Sequence, residues 1–318
     1  MYVIKAIPDD FVVKERFSYA LQESGRFQFV WLEKRNYTTM RAVEHISKAL
    51  GVPSKAIRYA GIKDKNAVTG QMISMKPRKL DVSLKDITLS TMGYRDEPLH
   101  VGELDGNAFQ IVVRNLNRPL HEKARVVNHF GEQRFSKANA KIGKAIIQKD
   151  LELACRLIEE HDMDTGSLIT TMLEKRQKDY VGALSRLSPR VLRLYVHAYQ
   201  SLLWNRMAQR LVAHYPDIDQ CDLPLIGFGT EVQDAIVKEK VDEIMGEEGI
   251  SYRDFIVRQF PRLSSEGDTR PLFVDLSDLA VGAMEDDDLH AGKKKCMVTF
   301  SLPPGSYATV VIHELLEA

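Results

Sequence analysis

The chain has 318 residues, 44% hydrophobic and 28% charged, with 19 glycines and 12 prolines. At roughly 150 residues per domain this predicts about two domains and excludes a mini-scaffold, a disordered chain, collagen and a long coiled coil. Basic and acidic residues balance at 44 each, but not locally: segments 54–80 and 114–144 are basic, whereas 217–288 is acidic and ends near the run Glu285-Asp286-Asp287-Asp288. Two basic segments in a neutral chain point to a localised polyanionic ligand, nucleic acid being the commonest, or to solvated helix faces; charge alone leaves both open.

In chain order, residues 7–15 and 26–34 read as strands, the second alternating Phe27, Phe29 and Trp31 against Gln28, Val30 and Leu32. Asn36-Tyr37-Thr38-Thr39 offers caps to a helix carrying Met40, Val43, Ile46 and Leu50 at helical spacing, and Gly51 ends it. Short strands at 57–60 and 71–75 flank a loop over 61–70. Asp105-Gly106-Asn107, between strand-like 99–104 and 109–114, predicts a hairpin. Past Leu120 helical periods dominate, over 138–148, 151–160 and 191–211, and the change of texture marks a second domain from about residue 151. The tail returns to a strand over 296–302, then Pro303-Pro304-Gly305 and a helix-like segment that can rejoin the first domain.

Cys155, Cys221 and Cys296 are odd in number and far apart, so neither a disulfide framework nor a zinc site is expected. The first ten residues lack an apolar signal core and no stretch approaches 18 apolar residues, which predicts a soluble, cytoplasmic protein with no membrane partner. P-loop, H-E-x-x-H, G-x-S-x-G and G-x-G-x-x-G patterns are absent and the histidines are scattered, so no metal, ATP or nicotinamide cofactor is expected. The conspicuous segment is Tyr59-Ala60-Gly61-Ile62-Lys63-Asp64-Lys65-Asn66-Ala67-Val68-Thr69-Gly70-Gln71. Flanking ammonium groups favour the charged form of Asp64, suiting it to nucleophilic or cation-stabilising work; the alternative is a turn aspartate in a solvated loop.

The stretch Ala60 to Gln71 resembles the signature loop of the TruD family of tRNA pseudouridine synthases. Further family-like segments follow in the expected order: Lys5-Ala6 and Pro8-x-Asp10-Phe11-Val12-Val13, Leu104-x-Gly106-Asn107-x-Phe109, Asn128-x-Phe130-Gly131-x-Gln133-Arg134-Phe135, Ala198-x-x-Ser201-x-Leu203, and Leu302-Pro303-x-Gly305-Ser306-Tyr307-Ala308-Thr309. His129 and Ser136 depart from it, at positions where the family usually has Tyr and commonly has Gly.

The resemblance implies an α/β (α+β) fold, with a pseudouridine synthase catalytic domain of mixed, mostly antiparallel sheet over 1–150 and 266–318 and an insertion domain over 151–265. It implies isomerisation of uridine 13 of tRNA to pseudouridine without a cofactor, with tRNA as the partner and no obligate protein partner. Asp64 carries over as the catalytic aspartate and Lys5 as the basic residue that pairs with it. Phe11, Asn128, Phe130 and Tyr307 carry over as substrate-binding residues, the aromatics near a flipped uracil. Gln133, Arg134, Gln71 and Thr69 are expected to brace loops, Trp31 and Trp204 to be core, and Lys293 to Lys295 to form a solvated turn. Two other classes stay in view. One is a catalytically silent RNA-binding module, against which an intact Asp64 and Lys5 argue; the other is a hydrolytic RNA enzyme, a nuclease or an N-glycosidase.

Overall fold

The computed structural model describes residues 1–317, the side chains of Lys137 and Asp164 excepted. The chain divides into two compact units, Met1–Val126 with Val274–Ala318, and Val127–Phe273. It runs through β1 (Phe11–Arg16), β2 (Phe27–Arg35), α1 (Thr39–Leu50), β3 (Arg58–Tyr59), β4 (Val68–Met75), β5 (Ile87–Arg95), β6 (Gly106–Leu116) and β7 (Arg125–Val127). Then follow α2 (Asn139–Ile147), α3 (Leu151–His161), α4 (Met163–Lys175), α5 (Tyr180–Leu184), α6 (Pro189–His214), β8 (Asp222–Leu225), α7 (Ala235–Glu248) and β9 (Asp268–Pro271). The return segment holds β10 (Phe273–Asp275), β11 (Ser277–Val281), β12 (Glu285–Asp286), β13 (Lys294–Leu302) and α8 (Ala308–Leu316).

The first unit is built on one sheet in the order β11-β13-β6-β1-β4-β2-β5, with β12 on β13 and β3 on β4. Only β1 and β4 run parallel among these pairs, with Val12 opposite Val68, so the sheet is mixed and mostly antiparallel, as expected. Period-two patterning makes β1: Phe11, Val13 and Glu15 point inward while Lys14 and Arg16 are exposed. One side of the sheet takes α1, whose Ala42, Val43 and Ile46 pack with Val30, Leu32 and Ile73. The helix starts where the Thr38 hydroxyl accepts from Arg41 N and stops at Gly51 in the left-handed conformation. The tail does rejoin this unit: α8 packs Val311, Ile312 and Leu315 with Ile111, Val113, Val298 and Phe300.

Three local expectations change. Pro8–Asp10 is a 3-10 turn, so the first strand starts at Phe11 rather than at residue 7; proline fixes the turn and Asp10 accepts from Ile7 N at 3.1 Å. Asp105-Gly106-Asn107 is no hairpin, because Gly106 opens β6 and residues 99–104 form no strand, turning at Val101 and Gly102. A Cβ on Gly106 would stand 2.3 Å from Leu302 O, so this glycine admits the β13 backbone instead of turning a hairpin. Strand β5 is unexpected: it pairs only with β2 in the sheet order, and its mostly uncovered residues carry no clear alternation.

In the second unit α2 and α7 pack on the long helix α6. The α2–α6 crossing is close enough that a Cβ on Gly143 would meet Tyr195 O at 2.0 Å. Residues 151 and 265, the expected bounds of the insertion domain, both fall inside this unit; α2 belongs with the helices through its contact with α6 even though it precedes residue 151. Some of the opposed charges pair with each other within the units. Arg114 is 4% exposed and binds Asp10, Asp287 and Asp288, and Lys144 pairs with Glu248 at 2.9 Å. In the Lys293 to Lys295 run, Lys293 donates to Asn117 and Lys294 and Lys295 pair with Asp286 and Asp288.

Candidate active site

The parallel pairing of β1 and β4 sets the start of β4 beside Phe11, and the segment entering β4 carries Asp64. The Asp64 side chain is 40% exposed, and its Oδ2 accepts from Lys5 Nζ at 2.6 Å. Lys5 has a left-handed backbone, φ +63°, and follows Val3, which is bridged to Arg114 on β6. Its ammonium stands 4.0 Å from the centroid of the Phe11 ring, a cation–π contact. Phe11 is itself 3% exposed, in the core. Lys5, Phe11 and Asp64 are therefore brought together, with Phe11 beneath Lys5 and its ring face already engaged.

Buried polar groups support this loop from below. Lys63 Nζ pairs with Glu15 at 2.8 Å and donates to Asn107 Oδ1 at 2.6 Å. Lys63 N donates to the Thr39 hydroxyl, Thr39 donates to Gln71 Oε1, and Gln71 Nε2 donates to Gly61 O, so Gln71 braces the loop as expected. Burial pushes the Glu15 carboxyl up, against the pull of Lys63. Lys34 Nζ donates to Tyr37 O at 2.5 Å and to Asp64 O at 2.9 Å. Burial brings its ammonium down to about 8, with the Asp64 charge opposing that shift and Lys63 adding to it.

Tyr307 is half-buried and stands immediately before α8, where its carbonyl accepts from Val310 N and Val311 N. The turn leading to it leaves β13 after Leu302, the cross-strand partner of Asn107, the residue that Lys63 reaches. Asn128 and Phe130 lie in the second unit. Asn128 Oδ1 accepts from Arg270 at 2.6 Å, and the same guanidinium stands 4.1 Å from the Phe130 ring centroid. Phe130 N and O are both held by Asn205, and its ring meets Trp204 edge-on at 5.7 Å.

Lys34, Glu15, Arg270 and Asn205 escape the sequence reading. Period two gives a signal for the first two: Lys34 continues the face of Val30 and Leu32, and Glu15 that of Phe11 and Val13. Nothing comparable marks Arg270 or Asn205, whose partners are distant in sequence. Lys55, Arg58 and Lys65, from the first basic segment, are exposed. Among the described residues no three His, Cys, Asp or Glu side chains gather as metal ligands, and no helix is long and apolar enough to cross a membrane.

The pattern of the family described as tRNA pseudouridine synthase D (TruD) matches residues 2–167, 160–223 and 220–315. A probable tRNA pseudouridine synthase D of Methanopyrus kandleri is 32% identical over 92% of this chain and 86% of its own length. The tRNA pseudouridine synthase D of Aquifex aeolicus is 29% identical over 98% and 97%. The crystal structure of a protein described as putative tRNA pseudouridine synthase D from Methanosarcina mazei superposes with a TM-score of 0.82 at 25% identity, covering 99% of this chain and 93% of that one. With these matches running from end to end, and the signature loop folded around an ion-paired aspartate, the chain belongs to the tRNA pseudouridine synthase D family.

Proposed function

We propose that this protein converts a uridine of tRNA, the one at position 13, into pseudouridine, with Asp64 acting at C1′. Family membership supports the reaction, and the carrying observation is an aspartate 40% exposed at its side chain yet held at 2.6 Å by Lys5. The N1–C1′ bond breaks, the uracil turns, and C5 joins C1′; C5 gives up its proton and N1 ends with one, so the atoms balance without a cofactor. A carboxylate facing C1′ stabilises positive charge there or adds to it covalently. Hydrolysis of such a bond calls for a second carboxylate to activate water. The other carboxylate of this network, Glu15, has a side chain fully buried against Lys63, which favours isomerisation over an N-glycosidase.

Lys5 aims the carboxylate and Phe11 aims Lys5, so both are positioning residues in this reading. Tyr307, Asn128 and Phe130 join it as uridine contacts on the match of their segments to the family motifs. The test is to incubate the protein with unmodified tRNA transcript in EDTA and map pseudouridine. Conversion at position 13 is expected, and Asp64→Asn should abolish it while tRNA affinity stays within a few fold, because the amide keeps the shape and removes the charge. Release of free uracil would instead identify a glycosidase, and binding without conversion a silent RNA-binding module.

A further inference from the structure

Asp64 is held at two points: its carboxylate by Lys5, and its main chain by Lys34. Lys34 ranks in size with Trp204, Tyr195 and Phe29 among the fully buried side chains. Among the described residues no carboxylate pairs with it; its recorded partners are the carbonyls of Tyr37 and Asp64. A buried ammonium with no carboxylate bonded to it is costly, and an apolar side chain of similar length commonly fills such a position at less cost. What an apolar chain cannot supply is a charged donor aimed at the Asp64 peptide. Tyr37 leads into α1 and Asp64 sits in the segment entering β4, so one ammonium ties the start of that helix to the peptide of the reacting residue.

We propose that Lys34 is a positioning residue for the reaction, fixing the Asp64 main chain through a charge-assisted hydrogen bond so that the carboxylate meets C1′ in one orientation. This rests on the reading of Asp64 as the group that acts there. Charge-assisted bonds are roughly twice as strong as neutral ones, so the constraint weakens when the ammonium loses its proton. Burial has brought that event down to about 8, and the charges facing the group are the Asp64 carboxylate and the Lys63 ammonium. A group that merely filled the core would leave no such mark on the rate.

The experiment measures single-turnover pseudouridine formation on unmodified tRNA transcript for wild type, Asp64→Asn, Lys34→Met and Lys34→Arg from pH 6.5 to about 9.5, with tRNA Kd and thermal midpoint taken on the same samples. At pH 7, Lys34→Met should lose about tenfold or more in rate with Kd within about threefold. The wild-type rate should fall as pH rises past about 8, whereas Lys34→Arg, whose guanidinium keeps its proton, should hold its rate further up. A folded Lys34→Met variant turning over at the wild-type rate overturns the proposal. Should Lys34→Met fail to fold, the comparison of wild type with Lys34→Arg decides: coincident pH profiles overturn it, and a displaced alkaline limb supports it. Full activity in Asp64→Asn, or an inert wild type, would instead overturn the reading of Asp64.

Discussion

A ring that stacks on a flipped uracil and a ring that fills a core respond differently to truncation, and Tyr307 allows the two to be separated. Stacking needs the aromatic face, so Tyr307→Phe should keep most activity, whereas Tyr307→Ala should lose about 1–3 kcal/mol of stabilisation, roughly tenfold or more in kcat/KM. Thermal midpoint and single-turnover rate on one Ala sample are the check; a destabilised variant turning over normally would make Tyr307 a core residue. The two motif segments that carry Lys5, Phe11 and Asp64 singled these residues out in the sequence, and the structure adds what a motif omits, that the Lys5 ammonium contacts both the Asp64 carboxylate and the Phe11 ring. For Lys34 the one sequence signal is its place in the β2 alternation, which puts it with Val30 and Leu32. Arg270 could not be read from local pattern at all, because Asn128, which it contacts, lies 142 residues away in sequence.

Two glycines in helices set the element scale, since the same substitution should have opposite effects in them. A Cβ on Gly143, in α2, would meet Tyr195 O of α6 at 2.0 Å, whereas one on Gly246, in α7, meets nothing within 4 Å. Gly143→Ala must push the helices apart and should cost about 1–3 kcal/mol. Gly246→Ala should gain about 0.5–1 kcal/mol by removing backbone freedom from the unfolded chain. Denaturant midpoints of the two variants check this, and a Gly143→Ala midpoint at or above wild type would mean that the crossing yields without cost. Elements with a buried face and a cap, such as α1 with Thr38 and Gly51, were readable from sequence. The edge strand β5 was not, because mostly uncovered residues leave no alternation to read. Gly106 misled for a different reason: a glycine admitting a neighbouring backbone looks in sequence like a glycine making a turn.

At the scale of the whole molecule, charge that looked like a ligand signal turns out partly structural. Arg114 is buried against Asp10 near one end of the chain and Asp287 and Asp288 near the other, so those acids close the first unit. Burial works to raise the Asp287 carboxyl, but the N–H groups of Asn115 and Leu289, with Arg114 and His290, outweigh it and hold the group well below the usual carboxylate range. A carboxyl lowered in the folded state contributes stability that is complete above its unfolded value, about 3.9, and is lost as pH falls toward its folded one. The thermal midpoint should therefore fall as the solution is acidified below about pH 4, and Asp287→Asn should flatten that slope. An unchanged slope would locate the acid-sensitive contact elsewhere. Counting charges along the chain could find the opposed segments but not their mutual pairing, which depends on the sheet bringing β6 and β13 side by side.

That adjacency also imposes an order on synthesis. On the ribosome, the first 126 residues emerge with β6 lacking its neighbour β13, which is made only after the whole contiguous second unit. The intervening helices have every partner they need earlier, while β6 waits as a bare hydrogen-bonding edge of the kind that invites pairing with other chains. A nascent chain stopped before residue 294 would carry Asp64, Lys5 and Lys34 on a sheet whose β6 edge lacks its partner. Strand β13 thus acts as a checkpoint: the scaffold beneath Asp64 is completed only after the whole second unit has been made.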